Sequence, residues 1–241
     1  MRTTSEIAEA FSLGMLVSDQ ADVTSVAISS LDVVPGSLFI AVQGEKSHGI
    51  DFLSAAIAAG ASAVLSDREV RADVPVLLHP DPRSIAGAVS AFVMGTMDLG
   101  LQIFGVTGTN GKTSTVFYLH QLLLQMGVKA GLSSSAFTQI DNRRADSSLT
   151  TPEAPRLHRL LSEMADSGAQ AAVVEVSAQA LVRHRVDGLV FDVTGFTNLT
   201  RDHLDEFGSM ENYLSAKAAL FTQKFSRRSV INVEDRFGEQ M

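Results

Sequence analysis

The segment Ile103-Phe104-Gly105-Val106-Thr107-Gly108-Thr109-Asn110-Gly111-Lys112-Thr113-Ser114-Thr115 constrains the fold more than any other stretch of the chain. An apolar run enters a turn with glycines at 105, 108 and 111, and Lys112-Thr113 then opens a helix-like segment, Lys112–Met126, closed by Gly127. Glycines let the backbone curl so that successive N–H groups converge on phosphate oxygens. A helix N-terminus adds its partial positive charge. In this reading Gly108, Thr109, Asn110, Gly111, Lys112, Thr113 and Ser114 cradle the phosphates of a nucleoside triphosphate. Lys112 reaches the terminal phosphates and the Thr113 hydroxyl takes a magnesium ion. The usual spacing GxxxxGK[ST] puts its first glycine at position 106, where this chain has Val106. A glycine-rich turn that binds nothing is the competing reading, and the coincidence of strand, glycines, Lys-Thr and helix argues against it.

Around that loop the chain alternates strands and helices. Val23–Ser29 and Ser37–Val42 read as strands either side of the turn Val34-Pro35-Gly36, followed by a helix over Asp51–Ala59 that stops at Gly60. Ala61–Leu65 and Val76–Leu78 are further strands, and Pro82–Met94 is a helix. Beyond the loop, Leu101–Val106, Ala171–Val176, Val190–Phe196 and Ser229–Val233 read as strands, with helices at Glu153–Ser167 and Met210–Phe221. Mostly apolar strands alternating with helices indicate α/β architecture with a parallel sheet covered on both faces. A break near Thr96–Gly100 divides the chain into domains at 1–98 and 99–241.

Composition narrows the partners. With 241 residues and 45% apolar content the chain can bury a sizeable core, and a net charge of −8 gives no support to a nucleic-acid partner. The sequence has no cysteine, which excludes disulfides and thiolate metal sites. No apolar run is long enough to insert into a membrane, and the first fifteen residues lack a secretory core, so the expected location is cytoplasmic. Oligomeric state is not readable from these features.

Two downstream segments carry chemistry. Glu175 closes the strand Ala171–Val176, at the end where an open parallel sheet binds ligands, and suits a magnesium ligand. A strand-end glutamate facing solvent is the competing reading. Asn198, Arg201, Asp202, His203 and Asp205 crowd the end of Val190–Phe196 as an active-site edge, with His203 placed for a metal or substrate. Lys217 lies four residues after Tyr213 on one helix face, and by spacing alone reads as a solvent-facing lysine.

Taken in register, GVTGTNGKTST (105–115), TTPE (150–153), EVSAQALVRHRVDG (175–188), FTNLTRDHLD (196–205) and GSMENYLSAKAALF (208–221) resemble the Mur ligase family, and PGSLFIAVQGEKSHGIDF (35–52) resembles its uridine-binding domain. The resemblance implies a small N-terminal α/β uridine-binding domain followed by a partial P-loop parallel-sheet ATPase domain. It implies an ATP-dependent amide-bond ligase of peptidoglycan precursor synthesis, and so of cell-wall biogenesis, cell shape and division. ATP would phosphorylate the terminal carboxylate of UDP-MurNAc-L-Ala-D-Glu, and the amine of a diamino acid would attack the acyl phosphate. By matching positions, Lys112, His203 and Lys217 are catalytic, and Thr113, Glu175, His203 and Lys217 serve Mg2+, the lysine as a carbamate. Ser30, Thr150, Thr151, Ser177 and Arg185 match positions that hold the UDP-MurNAc-dipeptide. The family pattern is departed from at Ser177-Ala178-Gln179, where it has Ser-Ser-His, and at Ser29-Ser30-Leu31, where it has Asp-Ser-Arg. The resemblance also implies three domains in roughly twice this length, so that 99–241 is a truncated central domain and the third domain is absent. The alternative reading is a nucleotide- or UDP-sugar-binding remnant without autonomous ligase activity.

Overall fold

The computed structural model describes residues 1–16, 20–44, 46–234 and 236–241, so Glu45 of the 35–52 run lies outside the described residues. The chain divides into two compact units, one of 1–97 with 153–159 and one of 98–152 with 160–241. Both are α/β, each with a mainly parallel sheet.

The first unit runs β1 (Arg2–Thr3), α1 (Thr4–Phe11), β2 (Gly14–Met15), β3 (Asp22–Val23), β4 (Ser25–Ala27), β5 (Ser37–Ala41), α2 (Leu53–Ala58), β6 (Ala61–Ser66), β7 (Val76–Leu78) and α3 (Pro82–Met94). Among the described residues its larger sheet has the order β2-β7-β6-β5-β4. Side chains alternate across a strand. Leu38 and Ile40 of β5 therefore pack with Ala86, Val89 and Val93 of α3, while Phe39 and Ala41 pack with Leu53 and Ala56 of α2. α3 begins and ends where the sequence places it, for local reasons. The Asp81 side chain accepts from the Ser84 N–H at 3.3 Å, Pro82 opens the first turn, and Gly95 closes the helix in the left-handed conformation.

The second unit runs β8 (Gln102–Thr107), α4 (Lys112–Gln125), β9 (Ala130–Ser133), β10 (Phe137–Ile140), β11 (Arg143–Asp146), residues 160–166 of α5 (Ala154–Asp166), β12 (Ala171–Glu175), α6 (Ala178–Val182), β13 (Val193–Phe196), α7 (Leu204–Phe207), α8 (Met210–Ala218), β14 (Ser229–Ile231) and α9 (Arg236–Gln240), the first part of α5 belonging to the first unit. Its sheet has the order β11-β10-β9-β12-β8-β13-β14, with β9, β12, β8, β13 and β14 parallel. Val106, Leu132 and Val173 of three adjacent strands pack against Val116 of α4. The phosphate-loop strand is thus central in the sheet, and its carboxyl end opens between two neighbours.

Several expected boundaries move, each for a hydrogen-bonding reason. The strand expected over Val23–Ser29 is two strands, because β3 pairs antiparallel with β1 while β4 pairs parallel with β5. The strand expected from Val190 starts at Val193, since the Asp192 side chain takes the Ile103 N–H at 2.8 Å and Phe191 bridges to Ser226. The antiparallel hairpin β10–β11 was not expected at all. Its outer strand is exposed along its whole length and so carries no apolar alternation. Among the described residues no helix is long and apolar enough to cross a membrane.

At Gly105 the strand β8 lies close against Phe191, because a Cβ there would sit 2.8 Å from that buried ring. Gly105→Ala should lower stability by about 1–3 kcal/mol, the usual range for overpacking a core. Urea denaturation monitored by circular dichroism measures this, and an unchanged midpoint would mean that β8 and Phe191 are not in contact.

Candidate active site

The loop between β8 and α4 is shaped by glycine and fastened from one side. Gly108 has φ +150°, and a Cβ there would run into the Thr197 hydroxyl; Gly111 is left-handed at +83° and caps α4. No side chain caps the helix at Gly111. Its first-turn N–H groups and their partial positive charge are therefore left to a ligand. The segment 197–200 after β13 ties the loop down. The Thr109 N–H donates to the Asn198 carbonyl at 2.8 Å and the Asn110 N–H to Asn198 Oδ1 at 3.0 Å. In return Thr197 Oγ1 and Asn198 Nδ2 donate to the Asn110 carbonyl at 2.7 and 3.1 Å. The Thr200 N–H donates to Thr109 Oγ1 at 3.0 Å. Val106, at the position where the usual spacing has glycine, lies inside β8 with its carbonyl paired to the Val176 N–H at 2.8 Å, ahead of the curl that needs glycine.

Thr113 and Glu175 meet. The hydroxyl donates to the carboxylate, 3.1 Å from each oxygen, and the Ser135 N–H donates to Glu175 Oε2 at 2.8 Å. Glu175 is only 1% exposed, so the solvent-facing alternative for it is wrong. Its carboxylate lies in the gap between the ends of β9 and β12 and the first turn of α4. A threonine hydroxyl beside one carboxylate is a donor set of the kind that Mg2+ accepts when phosphate and water complete its shell. Among the described residues no three His, Asp or Glu side chains converge into a metal cage.

Lys217 also departs from its expected position at the surface. It is 1% exposed, its Nζ donates to the Gly108 carbonyl at 2.7 Å, and the ammonium lies 4.4 Å from the centroid of the Tyr213 ring. Tyr213, buried in its turn, hydrogen-bonds the Thr109 side chain, and burial pushes its phenol up. The α8 helix is therefore anchored to the phosphate loop at two consecutive residues. Burial pulls the Lys217 amine down to about 7, with the nearby Lys112 charge adding to the effect and Asp202 opposing it. Lys112 is lowered as well, by burial, against the opposing pull of Glu175 and Asp202. Its Nζ rests on the Thr109 carbonyl at 2.9 Å, within reach of the loop's mouth.

Lys112, Thr150, Ser177, Arg185, His203 and Lys217 share one cavity of about 320 Å³. Thr151 stands behind its wall, fully buried. Its hydroxyl donates to the Glu175 carbonyl at 2.8 Å and accepts from the Ser177 N–H at 3.0 Å, and its carbonyl takes Arg185 Nη1 at 3.4 Å. Ser177 caps α6 through its hydroxyl. Ser114 is exposed on the first turn of α4. Ser30 belongs to the other unit, in a 3-10 turn, and there the neighbouring Ser29, not Ser30, lines a small cavity with Asp32 and Arg159. Tyr213, Ser135 and Glu206 were not singled out from sequence. Ser135 had a signal, since it ends a serine run at the carboxyl end of a strand one place removed from the phosphate-loop strand.

A family model described as Mur ligase middle domain matches residues 106–241, and one described as Mur ligase family, catalytic domain matches 22–91. The UDP-N-acetylmuramyl-tripeptide synthetase of Leifsonia xyli is 46% identical over 228 residues, covering 92% of this chain and 44% of that protein. The UDP-N-acetylmuramoyl-L-alanyl-D-glutamate--2,6-diaminopimelate ligase of Streptomyces coelicolor is 40% identical over 235 residues, covering 95% and 46%. A solved structure of a ligase with that name superposes with a TM-score of 0.77 at 29% identity, over 91% of this chain and 45% of the other. MurF from Acinetobacter baumannii, at 18% identity and TM-score 0.71 over 98% of this chain and 49% of the other, shares the fold. The chain spans about half the length of the curated relatives it matches.

The buried lysine has a pH signature. The unfolded chain keeps the Lys217 proton up to its ordinary value of 10.5, while the folded chain releases it near 7, so the unfolded state binds more protons between those values. Stability should therefore rise with pH across that window and be least favoured below it. Lys217→Met removes this contribution, so chemical denaturation at several pH values should give a shallower rise for the variant. Parallel curves for the two proteins would mean that the amine is solvated.

Proposed function

Because the chain belongs to the Mur ligase family, we propose that it carries the uridine-binding and ATP-binding parts of an ATP-dependent ligase that adds a diamino acid to UDP-MurNAc-L-Ala-D-Glu in peptidoglycan precursor synthesis. The observation that carries this reading is the buried Lys217 amine seated on the carbonyl of Gly108, inside a cavity that also holds Lys112, Arg185 and His203. A site that only hydrolysed a nucleotide has no need of the Arg185 guanidinium that lines the cavity beyond the loop. A site that brings a carboxylate up to a triphosphate must offset the repulsion of two anions. The substrates are cytoplasmic metabolites in this reading.

The residues fit the groups assigned to them. The uncapped start of α4 and Lys112 suit the ATP phosphates, and Thr113 with Glu175 would hold Mg2+. When bound, the ion supplies charge neutralisation at the phosphates. Arg185, which lines the cavity, would take a substrate carboxylate, since a guanidinium can grip one with two parallel bonds. The substrate carboxylate takes the γ-phosphoryl group, ADP leaves, and the incoming amine then displaces phosphate to form the amide. With its amine pulled to about 7, Lys217 is largely neutral under mildly basic conditions, the state in which its nitrogen can attack CO2 and lose a proton to form a carbamate.

Two measurements test this. Lys112→Ala should weaken ATP–Mg binding by calorimetry about 10- to 150-fold, the worth of a charged hydrogen bond; equal affinity would remove the loop from the reading. Carbon-13 NMR with labelled bicarbonate should show a carbamate signal that Lys217→Arg abolishes. A spectrum without that signal would strip Lys217 of its proposed modification.

A further inference from the structure

The short turn that carries His203 is held in place from the opposite wall of the cavity by residues with no assigned task. Glu206 lies on α7, and both of its carboxylate oxygens are engaged by one face of α6 and its C-cap. Gln179 Nε2 donates to Oε2 at 3.1 Å and Arg183 Nη2 to Oε1 at 3.2 Å. Gln179 and Arg183 are four residues apart, the spacing at which two side chains reach the same neighbour. All three line the same cavity as His203.

The turn needs such a tie. α7 is a single turn of four residues, too short to persist alone. Its N-cap is His203 itself, left-handed at φ 50° and without a side-chain cap. That backbone conformation is uncommon for a residue with a Cβ, and holds only where the surroundings impose it. The His203 carbonyl closes the turn by accepting the Glu206 and Phe207 N–H groups at 3.1 and 3.0 Å. From the α8 side, Asn212 Nδ2 donates to the Phe207 carbonyl at 2.9 Å and the Phe207 ring packs 5.0 Å from that of Tyr213. From the α6 side the tie is Glu206. The imidazole then sits with its ring centroid 6.2 Å from that of Tyr213.

We infer that Gln179, Glu206 and Arg183 form a latch between α6 and α7 that fixes His203 at the cavity, and that they are positioning residues for it. The latch also accounts for one departure from the family pattern. Gln179 stands where the pattern has histidine, and it keeps what the geometry uses, an N–H donor aimed at position 206. A task for His203 in catalysis rests on the function proposed above; the latch does not.

The test uses the full chain and the histidine ring signals in carbon–proton NMR, with His203 assigned by its loss in His203→Gln. Glu206→Ala should move the His203 ring signals and at least halve its ring-to-ring Overhauser effect with Tyr213. Glu206→Gln, which keeps an acceptor for Arg183, and Gln179→His, which keeps a donor for Glu206, should restore both. A thermal melt separates this from general loosening, which would lower the midpoint without singling out His203 from the other histidines. Should Glu206→Ala not fold, Gln179→Ala and Arg183→Gln carry the test at the cavity rim, each giving a partial shift. Unchanged His203 signals in the folded variants overturn the latch. Displaced His203 signals together with ATP binding indifferent to Lys112→Ala would leave the latch standing and sink the ligase reading instead.

Discussion

A half-buried loop that curls to present its N–H groups to a ligand has to satisfy its remaining polar groups some other way, and most of the second unit is arranged around that requirement. Between Gly108 and Gly111 the backbone is too irregular for the sheet or the helix to pair it. The segment 197–200 supplies the missing partners from the neighbouring strand, through backbone and side-chain bonds in both directions. The Gly108 carbonyl is taken by Lys217 from α8. A buried amide group left unpaired costs about 1–3 kcal/mol, so each of these ties constrains the sequence at its other end. The polar run after β13 is thus part of the loop's structure before it is part of any chemistry.

That arrangement concentrates positive charge at a place where water is scarce. Burial lowers the willingness of both Lys112 and Lys217 to carry a proton, and the Lys112 charge adds to the effect on Lys217. Glu175 and Asp202 offset this from either side. Such a site is arranged in advance for an anionic ligand, because the donors need no reorientation when the ligand arrives. The same logic explains why the polar residues emerge at the carboxyl ends of β9, β12, β8 and β13. At that end of a parallel sheet helix N-termini and strand-end side chains converge.

The parts of this architecture that local chemistry controls were legible in the sequence. Asp81, Pro82 and Gly95 bracket α3 at its observed ends, and the glycines with Lys112-Thr113 locate the loop and the start of α4. The capping box of Thr3 and Glu6 marks α1 equally well. What sequence could not give is the environment of a side chain that depends on distant strands. Glu175 looks like any strand-end glutamate until Ser135 and Thr113 are seen to enclose it. Lys217 looks like any helical lysine until Tyr213 and the Gly108 carbonyl receive its head group. β11 is invisible because its side chains are all exposed, so that only its pairing with β10 defines it.

The two departures from the family pattern have opposite physical outcomes, and the contrast shows what a substitution conserves. Leu31 stands 93% exposed where the pattern has arginine. Isolated surface leucines are tolerated, so the fold loses nothing, but the position gives up a guanidinium with its charge and its five donors. Gln179, where the pattern has an imidazole, donates through its amide to a carboxylate on the facing turn. A hydrogen-bond role can pass between residue types that share a donor of similar reach, whereas a role resting on charge cannot pass to a leucine. Arg159 donates to the Ser25 hydroxyl and to the Val26 and Asp32 carbonyls and, with Arg156, lines the small cavity beside Ser29 and Asp32, so the cations of that cavity come from α5 and not from position 31.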